Sequence, residues 1–272
     1  EMLLGLVGSE MCIRDSAEVL NRVISKAFKG SAPAQINIPR DMWTQVIDIE
    51  LPPIIKFERP SGGSEAIKEA AKLLSNADFP VILSGAGVVL ADAINDCKAL
   101  AEKLDSPVAS GYQHNDSFPG SHPLAVGPLG YNGSKAAMEL ISKADVVLAL
   151  GTRLNPFSTL PGYGIDYWPK DAAIIQVDIN SDRIGLTKKV SVGICGDAKQ
   201  VAQQLLNSLS PEAGNKNRDE RKALIHQTKS AWLQTLSSMD HEDDDPGTSW
   251  NEEARVRDAD RMSPRMAWRA IQ

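Results

Sequence analysis

The sequence predicts an α/β fold, a Rossmann-like doubly wound parallel sheet over residues 64–210, flanked by incomplete pieces of two further α/β domains. Three observations predict it. First, the strand candidates VILSG, DVVLALG and AIIQVDI are continuous apolar runs rather than alternating ones. Strands of that kind are covered on both faces, as in a parallel sheet between helical layers. Second, these runs alternate with amphipathic helical segments, the order that right-handed βαβ crossovers require. Third, glycines sit where the strands end, at Gly85, Gly87, Gly151 and Gly196.

The elements follow in order. SEAIKEAAKLLSNA reads as a helix with Ser64 as its N-cap, and Pro80 then opens the strand VILSG. A second helix is expected over 89–104, a short strand over Pro107 to Ser110, and then a long polar loop. A helix over 133–143, the strands DVVLALG, AIIQVDI and VSVGICG, and a helix over 197–208 complete the pattern.

The flanks read differently. Residues 1–16, EMLLGLVGSEMCIRDS, have no basic n-region of a signal peptide, and GSEMCIRDS resembles translated adapter read-through. We read them as a non-native leader, with the native gene extending upstream. Residues 17–48 hold a helix over 17–29 and a short strand marked by Ala34, Ile36 and Ile38, read as the end of a preceding domain. Residues 49–63 are rich in proline and glycine and read as a linker. Residues 211–261 read as one helix, over 219–238, and a charged connector. In 262–272, Ser263 and Pro264 start a helix that would open another domain.

The chain has 272 residues, a net charge of -6 and 42% hydrophobic residues. An acidic, mixed surface argues against nucleic acid, which selects basic patches. No apolar run reaches the roughly 18 residues of a membrane span. Cys12, Cys97 and Cys195 have no metal-ligand spacing and read as buried, reduced thiols of a cytoplasmic protein.

In a doubly wound sheet, ligands sit beyond the carboxyl ends of the strands. The loops at Gly85 and Gly87, at Gly151, Thr152 and Arg153, and at Gly196 and Asp197 lie at such ends, as does Asp178. Glycine lets backbone approach a phosphate, and a strand-end carboxylate can accept ribose hydroxyls. A GxG turn between strand and helix is also a plain tight turn, and Leu90 stands where the dinucleotide fingerprint has its third glycine. A structural role is the leading reading of these loops. His114 and His122, in a glycine-rich loop, read as hydrogen-bonding residues, and His226 and His241 as solvated ones. No residue presents a nucleophile–base or metal-ligand spacing, so neither catalytic nor metal-binding residues are assigned.

The succession APAQINIPRD, PVILSGAGV, FPGSHPLAVGPLGYNGS, DVVLALGTRL, IIQVDINSDRIG and CGDA resembles the thiamine-diphosphate enzyme superfamily. FKGSAPAQINIPRDMW, GTRLNPFSTLPGYGIDYWP and HEDDDPGTSW resemble its sulfoacetaldehyde acetyltransferase branch in particular. The resemblance implies that residues 17–48 end the pyrimidine-binding domain and that 262–272 begin the diphosphate-binding domain. It implies thiamine diphosphate and Mg2+ in the full-length enzyme, which converts sulfoacetaldehyde and phosphate to acetyl phosphate and sulfite. It also implies a homodimer or homotetramer. The branch's activating glutamate and its GDG motif belong to the neighbouring domains. No GDG occurs here, so neither cofactor nor activity is expected of this chain alone.

Some members of the superfamily bind FAD or ADP in the central domain. The positions matching those contacts are Gly85, Gly87, Gly130, Tyr131, Asn132, Gly151, Thr152, Arg153, Asp178, Ile179, Gly196 and Asp197. Leu154-Asn155-Pro156 departs from the aromatic and acidic residues of the FAD-binding members, which argues against FAD. Two alternatives stand beside this reading: an acetolactate-synthase-like or decarboxylase enzyme, and a stand-alone nucleotide-binding module.

Overall fold

The computed structural model describes residues 16–238, apart from 31, 41, 42, 45, 47, 49, 52 and 54–57. Most of the leader, Cys12, part of the linker, His241, the connector beyond 238 and the start of a domain at 262–272 lie outside the described residues. The chain divides into two compact units, Glu1–Glu58 and Arg59–Gln272.

In the first unit, α1 spans Ser16–Gly30. Where a strand is expected at 34–38, the described residues carry a single bridge position at Asn37 rather than a continuous strand. Alternating side chains make a strand only where another strand supplies the ladder of hydrogen bonds.

The second unit holds a six-stranded sheet, all of whose pairs are parallel. Its strands are β1 (Pro80–Ser84), β2 (Val108–Ser110), β3 (Ala125–Pro128), β4 (Val146–Leu150), β5 (Ala173–Asp178) and β6 (Val192–Cys195). The order β3-β2-β1-β4-β5-β6 reverses between β1 and β4. That reversal is the topological switch point, where the two flanking loops leave in opposite directions. All five residues of β1 and of β4 are buried, as continuous apolar runs require.

The helices are α2 (Ser64–Asn76), α3 (Ala86–Leu90), α4 (Ile94–Leu104), α5 (Lys135–Ile141), α6 (Ala198–Ser208) and α7 (Arg218–Ser238). Three of them bury the same i, i+3, i+4, i+7 stripe: Ile67, Ala70, Ala71 and Leu74 in α2; Cys97, Leu100, Ala101 and Leu104 in α4; Ala198, Val201, Ala202 and Leu205 in α6. The paired alanines let the helices lie close, and α6 packs against both α2 and α4. On the other flank of the strand order, α5 packs on β2 and β3 and carries α7.

Four expectations are corrected. Ser64 is the first helical residue of α2, not its cap; the N-cap is Gly63, with no side-chain bond. The single helix expected over 89–104 is two, α3 and α4, broken where Asp92 takes a φ of 52°. The long loop between β2 and α5 contains a strand, β3, whose short AVGP stretch carries too few apolar residues to signal one. Cys97 is buried, but Cys195 is exposed, because β6 is an edge strand whose residues alternate between buried and exposed.

Helix α7 belongs to the folded unit. Arg221, 1% exposed, donates all five of its N–H groups to backbone carbonyls of Asp78, Leu104, Asp105, Gly214 and Lys216 at 2.5–3.0 Å. Asp105 pairs with Arg218 and Lys222 beside it. Burial pulls the Arg221 guanidinium below its ordinary range, and the Asp105 charge opposes that. Further along, the Lys229 ammonium donates to the carbonyls of His122 and Pro123, and Trp232 meets Tyr163 edge to face at 5.5 Å.

Candidate functional site

The carboxyl edge of the sheet collects the glycine-bearing loops at three places. The first is the switch point. Gly85 N–H donates to Leu150 O at 3.1 Å, and Gly87 N–H donates to Gly151 O at 2.8 Å. These are the amides that face a phosphate in a dinucleotide-binding turn. Here the exit of β4 already occupies them. A Cβ on Gly87 would lie 2.6 Å from the Gly151 Cα, and one on Gly85 would lie 2.6 Å from the Thr152 Cβ. Gly151 itself has a φ of +62°. The glycines thus allow two loops to touch, backbone on backbone, across the switch point.

The second place is the loop between β3 and α5. Gly130 has a φ of +99°, and a Cβ there would face the carbonyls of Phe157 and Ser158 at 3.4–3.5 Å. Tyr131 and Asn132 are exposed. Tyr163 leans over the same loop, its hydroxyl donating to Gly133 O, and the Tyr167 hydroxyl donates to Leu160 O. Burial pushes the Tyr167 phenol up to about 12. The third place is the end of β6. A Cβ on Gly196 would fall 2.9 Å from Gly62 N and 2.6 Å from Val201 Cγ2. Asp197 caps α6, accepting from Lys199 N and Gln200 N, and pairs with Arg59 at 2.8 Å. Its two carboxylate oxygens therefore serve the helix and the arginine.

Between these places, Asp178 ends β5 at 6% exposure and accepts from Asn180 N at 2.9 Å. Ile179 gives its carbonyl to the Cys195 thiol. Arg153 is exposed. The twelve matched residues thus lie at the carboxyl ends of β1, β3, β4, β5 and β6. Of the loop histidines, His122 lies 3.2 Å from Glu102 and accepts from Leu124 N through Nδ1, a structural arrangement like the one expected.

Two residues escaped the sequence reading. Gln176 is 1% exposed; its Nε2 donates to Thr152 O and Arg183 O, and its Oε1 accepts from Gly185 N. The signal was there, as one amide inside the apolar run AIIQVDI. Arg59 left no such signal, because its partner is 138 residues away.

Three comparisons bear on this arrangement. Residues 67–205 match the family model "Thiamine pyrophosphate enzyme, central domain". A Rhizobium meliloti (strain 1021) protein named "Probable sulfoacetaldehyde acetyltransferase" is 79% identical over 255 residues, covering 94% of this chain and 43% of its own length. The sulfoacetaldehyde acetyltransferase of Roseovarius nubinhibens (strain ATCC BAA-591 / DSM 15170 / ISM) is 75% identical over 256 residues, covering 94% and 42%. The chain therefore spans less than half the length of these relatives. The crystal structure of benzoylformate decarboxylase from Polynucleobacter necessarius superposes with a TM-score of 0.62 at 21% identity, over 75% of this chain and 38% of that one, a likeness of fold. Fold, strand order and family match agree, and the chain belongs to the thiamine pyrophosphate enzyme family through its central domain.

Proposed function

We propose that this chain is the central portion of a thiamine-diphosphate-dependent sulfoacetaldehyde acetyltransferase, whose intact form converts sulfoacetaldehyde and phosphate to acetyl phosphate and sulfite. The observation that carries this reading is the 75–79% identity to proteins of that name across 94% of the chain. A homodimeric or homotetrameric, cytoplasmic enzyme is part of the same proposal for the intact protein. Among the described residues, no helix is long and apolar enough to cross a membrane.

The chain by itself is proposed to hold neither thiamine diphosphate nor Mg2+. The sequence contains no GDG, and among the described residues no group of three or more His, Cys, Asp and Glu is placed to hold a metal ion. No reaction step is assigned to side chains of this chain. Its part is to form a scaffold. The closed contact of Gly87 with Gly151 supports a carboxyl edge that serves packing rather than nucleotide binding. Two measurements test the proposal. The intact gene product should release sulfite from sulfoacetaldehyde in the presence of phosphate, thiamine diphosphate and Mg2+. Decarboxylation or condensation of a 2-oxo acid in its place would refute the substrate. The 272-residue chain should show no thermal shift with thiamine diphosphate and Mg2+, nor with ADP or FAD. A shift with the first pair would overturn that part of the proposal, and one with a nucleotide would overturn the scaffold reading.

A further inference from the structure

We propose that Gln176 is a positioning residue that ties the exit loops of β4 and β5 into one mechanical unit and so sets Arg153 relative to Asp178. The amide sits within β5 between Ile175 and Val177, at 1% exposure. Burying a primary amide is costly unless its bonds are made, so one inside a strand of isoleucine and valine calls for partners. The bonds are made. Both N–H groups donate, to Thr152 O at 3.2 Å and Arg183 O at 3.1 Å, and the oxygen accepts from Gly185 N at 2.8 Å. One side chain thus grips the chain on either side of the β4 and β5 exits.

The gripped loops need holding. Gly151, Leu154 and Gly185 have φ values of +62°, +52° and +73°. Leu154, a branched side chain in the left-handed region, is strained and persists only where its surroundings over-determine it. A second brace lies alongside, since the Thr187 hydroxyl donates to Leu154 O at 2.7 Å. Arg153 follows directly on the carbonyl that Gln176 holds, and Asp178 lies two residues on along β5, on the same face as Gln176. Whatever displaces one loop, a ligand or a neighbouring domain, must therefore displace the other. This holds whether or not the edge takes a nucleotide.

Hydrogen exchange of the full chain, read by mass spectrometry, tests it with two variants. Gln176→Leu keeps the shape and removes the amide. Exchange protection should fall about tenfold in both 151–155 and 181–187, with α4 and β1 unchanged. Gln176→Glu keeps an acceptor for Gly185 N but turns a carboxylate oxygen toward two carbonyls. Both segments should lose protection at pH 8 and recover toward wild type at pH 5, where the carboxyl regains a proton and a donor. Loss in one segment only, loss in neither, an equal loss throughout the domain, or a pH-independent loss in the Glu variant would overturn the proposal. If Gln176→Leu does not fold, the pH response of Gln176→Glu decides alone.

Discussion

Replacing Arg221 by methionine should cost this domain a large part of its stability. The methionine stem fills most of the arginine's path, so the loss isolates the hydrogen bonds rather than the packing. In the folded chain the guanidinium satisfies five carbonyls, those of Asp78, Leu104, Asp105, Gly214 and Lys216. Bonds to a charged donor contribute roughly 1.5–3 kcal/mol each, but they are not additive, and the arginine's own desolvation opposes them. Breaking a buried charged network of this kind typically costs about 3–5 kcal/mol. Against a total of about 5–15 kcal/mol for a domain, that is roughly a fifth or more. With a urea m-value near 3 kcal/mol/M, the midpoint should fall by roughly 1–1.7 M at constant m. Arg221→Lys should recover less than half of it, because three donors on one atom cannot reach five carbonyls spread around a planar fork. Urea unfolding followed by circular dichroism at pH 7 measures both. A loss under about 1 kcal/mol for the methionine variant would refute the claim that α7 is pinned through this side chain.

Three other outcomes follow from the same structure. Gly151→Ala should destabilise by more than about 2 kcal/mol, since its Cβ meets the Gly87 backbone 2.7 Å away at a φ of +62°; a midpoint within error of wild type would contradict the loop contact. Asp197→Ala should cost about 1–2 kcal/mol by removing the α6 cap and the partner of Arg59, with an accompanying loss of helical signal. Burial pushes the Cys97 thiol up from 9.0 to about 12, with a hydrogen bond to Ser84 opposing it. The folded state then holds its proton above pH 9, where the unfolded chain loses it, so this contribution is complete below pH 9 and is lost as pH rises toward 12. Cys97→Ala should therefore show a shallower fall in stability above pH 9, by up to about 1.4 kcal/mol per pH unit; parallel curves for the two proteins would exclude a buried neutral thiol.

The strands of the sheet were legible because burial on both faces leaves an unbroken apolar run. VVLAL and AIIQVD carry that mark. β3 did not, since AVGP is short and ends in glycine and proline, and what makes it a strand is the ladder offered by β2. The break between α3 and α4 was hidden for a similar reason. ADA continues a plausible helical pattern, and only the packing of α4 on β1 requires the chain to turn at Asp92. The candidate edge was legible as a set of glycines at strand ends. Their use was not, because the sequence does not tell whether a glycine makes room for a ligand or for another loop.

Composition, apolar periodicity and the motif succession alone determined the parallel α/β class and the family. Those properties depend on local patterns, which hydrophobic burial converts directly into strands and helices. The tertiary structure decided what no local pattern encodes. Gly87 meets Gly151 across 64 residues of chain, Arg221 reaches Asp78 across 143, and Gln176 joins two loops that leave different strands. Each of these contacts depends on which strands lie side by side. The order β3-β2-β1-β4-β5-β6 sets that, because it brings the exits of β1, β4 and β5 to one edge and leaves their amides and carbonyls to be satisfied there.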